Sequence, residues 1–268
     1  LATTPEEAER AAKQLGTAVV VVKAQVHAGG RGKAGAVRLL ESPDEAGVFA
    51  ASLLGQEILH YPVTELLVSA PVDIAREIFV SFTFDSETNK PFLLFSAEGG
   101  VDIETILDKH PASLIRQPLS LLTGFSKFDA AAVTETSGLS ETAAKNLATA
   151  LLSLWQVFTE HEAELLEVNP LVLAPDGLVM APTAVLNLDE QAMARHGDLI
   201  VAADRIRTNG WRPLTELELE MREIDATDIG SSIRFNEFPE GDIALMVSGG
   251  GTGMSALDAV YQAGGRPA

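Results

Sequence analysis

Cysteine is absent from the chain. That excludes disulfides, thiolate metal centres and cysteine nucleophiles together, and it suits a reducing compartment. Long apolar runs are missing too. None reaches the ~18 residues that a bilayer-spanning helix needs, and the opening "LATTPEEAER" is acidic and helical, unlike a basic-then-apolar leader. A soluble, cytoplasmic protein is therefore expected. Positive charge is scarce, with 19 Lys and Arg against 38 Asp and Glu and a net charge of -19 over 268 residues. Such a field repels nucleic acid and anionic membranes, so an anionic ligand has to be captured by a local arrangement. Internal repeats and low-complexity tracts are lacking. The five histidines (His27, His60, His110, His161, His196) show no metal-ligand spacing, and His27 alone flanks a candidate site.

What the chain does have is punctuation. Thr4-Pro5-Glu6-Glu7 and Ser42-Pro43-Asp44-Glu45 are helix starts, closed by Gly16 and Gly55, and Ser140 opens a long helix with Leu147, Leu151, Leu154 and Phe158 at helical spacing. The runs "TELLVSA", "EIFVSFTFD" and "PFLLFSAEGG" predict one antiparallel set of strands beneath helices, and "ELLEVNPLVLAPDGLVMAP" predicts two strands joined at Pro175, Asp176 and Gly177. Residues 197 to about 240 are polar and lack a sustained period, so they are expected to connect. "DIALMVSGGGTGMSALDAVYQAGG" then has the texture of a buried strand, a glycine turn and a helix, the start of an α/β domain. One strand and one helix cannot bury their own apolar faces, which points to a domain that continues further.

Chemistry concentrates at three places. In "VVVVKAQVHAGGRGKAGAVRLL", Gly30-Arg31-Gly32-Lys33-Ala34-Gly35 matches G-x-G-x-x-G, yet strand-like "AVRLL" follows where a dinucleotide fingerprint requires a helix, and Ala34 breaks the Walker pattern. The loop is either an exposed basic β-turn or a phosphate-binding hairpin whose N–H groups wrap oxygens, with Arg31, Lys33 and Lys23 adding charge. Gly249-Gly250-Gly251-Thr252-Gly253 sits between an expected strand and a helix and is the better candidate for an anion at a helix N-terminus, yet taken alone it is a weak signal that a tight packing turn explains equally. In Glu167-Val168-Asn169-Pro170 a carboxylate and an amide share one strand face, which suits a hard cation or a phosphoryl acceptor; equally, Asn169 could cap a turn before Pro170.

Taken together and in order, "VVKAQVHAGGRGKAGAV", "DIARE", "EGGVDIE", "LLEVNPLVL" and "VSGGGTGMSALD" closely resemble the β subunit of the succinyl-CoA synthetase (succinate-CoA ligase) family and its malate-CoA ligase and ATP-citrate lyase relatives, over nearly the whole chain. The resemblance implies an α/β protein: an α+β ATP-grasp domain over residues 1–200, a connecting segment over 201–240, and the start of a flavodoxin-like CoA-ligase domain over 241–268. Family chains begin earlier and continue past "AGGRPA", so a longer protein is implied. It implies an acid-thiol ligase subunit, ADP- or GDP-forming, in a heterooligomer with an α subunit that carries the phosphohistidine and the CoA site. ATP or GTP and Mg2+ would be used with a small carboxylic acid. A divergent member with impaired Mg-nucleotide chemistry, serving a structural or regulatory role, is the alternative, and a dinucleotide module is a third.

By position the resemblance assigns nucleotide binding to Lys23, Gly30, Arg31, Gly32, Val72 and Glu77. Glu167 would orient the partner's phosphohistidine, Asn169 and Thr183 would be metal ligands, and Ser248, Gly249 and Gly250 would face the carboxylate substrate. Three positions depart from the family pattern: Ser69 replaces a glutamate, Ser248 an asparagine, and Thr183 the second magnesium-binding aspartate. Asp189 could replace that carboxylate only in a different strand register.

Overall fold

A computed structural model describes every residue except 27–29, 102, 110, 136, 190–191, 193–194, 198, 200–213, 228–232 and 239. The chain divides into a first unit, Leu1–Asp204, and a second, Arg205–Ala268.

The first unit has two cores. In the smaller, helices α1 (Pro5–Leu15) and α2 (Pro43–Leu53) cover a sheet of β1 (Val20–Ala24), β2 (Val37–Leu40) and β5 (Leu66–Ser69) in the order β2-β1-β5. The caps form as the sequence requires. Thr4 accepts the Glu7 N–H at 3.2 Å, Ser42 accepts that of Glu45 at 3.2 Å, and Gly16 closes α1 at φ 65°. Helix α2 stops at Leu54, which turns extended just before the expected stop, Gly55. Alternation along β1 buries Val20, Val22 and Ala24 in this core and leaves Val21 and Lys23 half-buried on the opposite face. Val20 pairs with Leu40 and Lys23 with Val37, so the basic loop is the tip of an antiparallel hairpin. A two-residue pairing of β3 (Glu57–Ile58) with β4 (Tyr61–Pro62) bridges α2 and β5.

The larger core lies between a second sheet and two helices. Strands β6 (Arg76–Phe84), β7 (Pro91–Ser96), β8 (Leu114–Pro118), β9 (Ala163–Leu173) and β10 (Val179–Met180) run in the order β10-β9-β6-β7-β8, with β11 (Val185–Leu188) also on β9. The short α3 (Ile103–Lys109) lies between β7 and β8, and α4 (Lys127–Glu135) and α5 (Glu141–Glu160) precede β9. Leu147, Leu151, Trp155 and Phe158 of α5 meet Val80, Phe82, Leu166 and Val168 of the sheet. Phe82 alone touches Phe125, Trp155 and Phe158 at centroid distances of 6.0, 5.7 and 6.0 Å. Each such buried side chain stabilises by about 1.5–3 kcal/mol, which makes this the principal core. The single antiparallel set expected for residues 64–97 is in fact two: "TELLVSA" joins the first sheet, "EIFVSFTFD" and "PFLLFSAEGG" the second. Leu66–Ser69 and the start of β7 alternate alike yet join different sheets, so alternation, which fixes the buried face of a strand, cannot assign its partners.

Strand β9 positions the site. Val80 pairs with Val168 but Ile78 with Leu171, so β9 carries an extra residue at Asn169-Pro170, and its core side chains switch phase from Leu166 and Val168 to Leu171 and Leu173. Glu167 and Asn169 stay half-buried on the face away from the core. On the other edge, β11 pairs with β9 up to Glu167 and β10 with Val172 and Leu173, leaving residues 168–171 with no strand beside them on that side among the described residues.

The second unit holds α6 (Glu216–Thr227) and α7 (Gly250–Gln262). Helix α6 interrupts the expected connecting segment. A capping box starts it: Thr215 Oγ1 accepts the Glu218 N–H at 3.2 Å, and Glu218 returns the bond to the Thr215 N–H at 2.9 Å. The expected strand before the second glycine loop does not form. Ile243 makes one parallel bridge to Pro267, and Met246 is fully exposed. Among the described residues no strand lies beside this apolar run, so it has neither a ladder to join nor a layer to bury it. Among the described residues no helix is long and apolar enough to cross a membrane.

Candidate functional site

The basic hairpin tip curls on itself. Ala34 donates to the Gly30 carbonyl at 3.1 Å, Gly35 to that of Gly32 at 3.1 Å and Ala36 to that of Arg31 at 2.9 Å, with Gly30 and Gly35 both at φ 74°. The N–H groups of Gly30, Arg31 and Gly32 meet no acceptor among the described residues. Beneath them, Lys23 Nζ donates to the Pro182 carbonyl at 3.1 Å and Arg31 Nη1 to the Ala24 carbonyl at 3.3 Å. Neither cation meets a carboxylate among the described residues. Burial pushes both below their ordinary pKa, and for Lys23 the adjacent Arg31 charge adds to it. Among the described residues these two half-buried like charges are held by carbonyls, an arrangement that an anion under the N–H groups would complete. Strand β2 follows this loop, so no helix N-terminus is available for a dinucleotide pyrophosphate. His27 lies outside the described residues.

The Lys23–Pro182 bond brings the first sheet against the open edge of β9. Met180 pairs with Val172 and Val185 with Glu167, one unbroken register that places Thr183 level with Asn169 across the unpaired stretch. Asn169 Oδ1 accepts the Gly100 N–H at 2.9 Å, and its Nδ2 donates to the Val101 carbonyl at 2.9 Å. Gly100 in turn lies against Glu77 of β6: a Cβ at Gly100, which sits at φ 72°, would stand 2.3 Å from Glu77 Oε2. One at Gly99 would stand 2.5 Å from the Ile78 carbonyl carbon. Lys23, Gly30, Arg31, Gly32, Glu77, Glu167, Asn169 and Thr183 therefore belong to one connected region of the first unit. Val72 lies half-buried on the link between β5 and β6, and Ser69 closes β5 opposite Val21. Ser248, Gly249 and Gly250 belong to the second unit and are exposed, with Gly249 at φ 87° heading α7 without a side-chain cap bond. Gly99 and Gly100 carry no site role in the sequence, and only the folded chain shows how closely they approach β6.

The implied magnesium does not fit Asn169 and Thr183 as a resident ion. Both are uncharged, the Asn169 oxygen already accepts a backbone N–H, and magnesium demands octahedral, preferably charged oxygen. Asp189 gives no relief, because its N–H bonds the Glu162 carbonyl at 3.0 Å, four residues and roughly 13 Å down the strand from Val185. Among the described residues no three His, Asp or Glu side chains could hold a metal ion. Glu162 anchors a separate cluster: Arg195 donates Nε and Nη2 to it at 2.8 and 2.6 Å, and His196 Nε2 lies 2.9 Å away. The Arg195 hydrogen bond chiefly, with that of His196, holds the Glu162 carboxyl at about 2.

The fold and these motifs agree with known proteins. Residues 1–173, more than half of the chain, match the ATP-grasp domain family. Succinate-CoA ligase (ADP-forming) subunit beta of Rubrobacter xylanophilus is 40% identical over the whole chain, which spans 66% of that relative. The same subunit of Anaeromyxobacter dehalogenans is 37% identical, with 67% of its length covered. Among solved structures, ATP citrate lyase from Methanothrix soehngenii, in complex with citrate and coenzyme A, superimposes with a TM-score of 0.72 at 21% identity over 96% of this chain and 59% of that one, a likeness of fold. The chain spans about two thirds of the curated relatives it matches, and it belongs to the ATP-grasp family of succinate-CoA ligase β subunits.

Proposed function

We propose that the first unit binds a nucleoside triphosphate with its phosphates under the 30–35 hairpin tip, as the nucleotide-binding β subunit of an acid-thiol ligase. The observation that carries this reading is the Lys23–Arg31 pair, two half-buried cations that among the described residues meet carbonyls and no carboxylate, roofed by three N–H groups without acceptors there. Phosphoryl transfer needs little covalent chemistry from such a chain. The cations and N–H groups hold the phosphates and offset charge on the oxygens in flight, and Glu167, on the open face of β9, orients the accepting imidazole of a partner α subunit. The α subunit's phosphohistidine then passes its phosphoryl group to a small carboxylate, and CoA displaces it. ATP is the better match, because the relatives are ADP-forming. Magnesium, in this reading, arrives on the nucleotide's own phosphates instead of waiting at Asn169 and Thr183. Residues 241–268 open the CoA-ligase domain, with Ser248, Gly249 and Gly250 toward the carboxylate. Val72 backs the base.

The test mixes the full-length protein with its α partner, γ-labelled ATP and magnesium. Label on an α-subunit histidine is the expected outcome, and its absence with succinate or malate present overturns the reading. Thr183 opposite Asn169 favours a second reading, a member whose Mg-nucleotide chemistry is impaired. Calorimetry separates the two, since tight Mg-ATP binding removes the second.

A further inference from the structure

The Asn169 carboxamide is committed at both ends to backbone, accepting from Gly100 and donating to Val101, each at 2.9 Å. These bonds reproduce a rung of a β-ladder, so one side chain ties the 98–101 turn to β9 at its bulge. Gly99 fastens the same turn to β6 through its N–H, which donates to the Glu77 carbonyl at 2.9 Å. The turn lies so close to β6 that a Cβ at Gly99 or Gly100 would stand 2.5 Å from Ile78 or 2.3 Å from the Glu77 carboxylate. That carboxylate is half-buried and makes no hydrogen bond or ion pair among the described residues. The turn beneath it limits its direction, and the turn is held by the Gly99 N–H on one side and by Asn169 on the other.

We infer that Asn169 is a positioning residue which, through Gly99 and Gly100, aims the Glu77 carboxylate at the nucleoside part of the bound nucleotide, and that it is not a metal ligand. The inference rests on the nucleotide reading above. A carboxylate only accepts hydrogen bonds and repels phosphate, so its place is beside hydroxyl or amino donors of the nucleoside, away from the phosphates. The two roles for Asn169 predict opposite results for Asn169→Asp. A metal ligand gains charge and binds Mg-nucleotide more tightly. A clip loses its Nδ2 donor, sets a second oxygen against the Val101 carbonyl, and opens.

The experiment titrates ADP, with and without magnesium, into the full-length protein and its Asn169→Asp, Asn169→Ala, Glu77→Ala and doubly substituted Asn169→Ala/Glu77→Ala forms, and follows amide exchange at Gly100. Either Asn169 change is expected to weaken ADP by about tenfold with or without magnesium and to speed Gly100 exchange. Asn169→Ala should cost less than about twofold once Glu77 is already Ala, because a positioning residue has no effect without the group it positions. Tighter Mg-ADP binding by Asn169→Asp, unchanged Gly100 exchange, or losses that multiply in the double form overturn the inference. If the unsubstituted protein binds no ADP, the nucleotide reading falls, and Gly100 exchange alone decides whether the clip exists.

Discussion

Two cationic clusters in the first unit follow opposite plans. Around Glu162, the Arg195 guanidinium and the His196 ring converge on one carboxylate, so the Arg195 charge meets its counter-charge within the chain. Around the hairpin tip, Lys23 and Arg31 are half-buried against carbonyl oxygens, with no carboxylate among the described residues to balance them. The first arrangement holds chain segments together; the second leaves its charge without a carboxylate among the described residues, room for a counter-charge that an anionic ligand would supply. Number of positive charges does not separate a structural ion cluster from a binding site. Whether the protein itself supplies the counter-charge does.

The comparison breaks if the two clusters respond alike to substitution. Replacing both Lys23 and Arg31 by Ala should weaken ADP by about 100-fold or more while leaving thermal stability unchanged or raised, since a desolvated like-charge pair is relieved. Calorimetry and thermal melts read the two effects, and unchanged affinity would sink the assignment. Gly99→Ala separates shape from charge: its Cβ overlaps the Ile78 backbone, so denaturant unfolding should show a loss of about 2 kcal/mol. Glu162→Gln should do the reverse of the first change, lowering Tm by about 2 °C with ADP affinity untouched. Smallest is a pH effect. Glu162 falls from 4.5 to about 2 on folding, so its contribution is full above about 4.5 and disappears as pH drops through about 2. Acid melts of the unsubstituted protein should show that slope between these limits, and those of Glu162→Gln should lack its share.

What could be read beforehand was local. Thr4, Ser42 and Ser140 cap their helices because a cap needs only a hydroxyl three residues from a free N–H, and the hairpin around the basic loop needs only two alternating runs and glycines. Strand partners were not legible, since Leu66–Ser69 has the same alternation as the start of β7 yet joins the other sheet. Helix α6 left a readable sign in Thr215 and Glu218, hidden by the polarity of its surroundings. At the site, Lys23, Gly30, Arg31 and Gly32 stand out by residue type, whereas the Asn169–Gly100–Glu77 chain joins residues 69 and 23 positions apart, a closeness that only folding creates.

The open stretch of β9 has a consequence for how this sequence can lengthen or shorten. Pairing on either side of it keeps a single count, Met180 with Val172 and Val185 with Glu167, so the link from Ala181 to Ala184 matches its opposite number residue for residue. Deleting one residue there would draw β11 one step along β9 and turn its inward side chains outward, with Leu188 leaving the edge of the core. A single insertion, by contrast, could loop out at the level of Thr183 without moving either strand. Length variation in this segment is therefore one-sided, and it falls beside Lys23, whose Nζ donates to the Pro182 carbonyl.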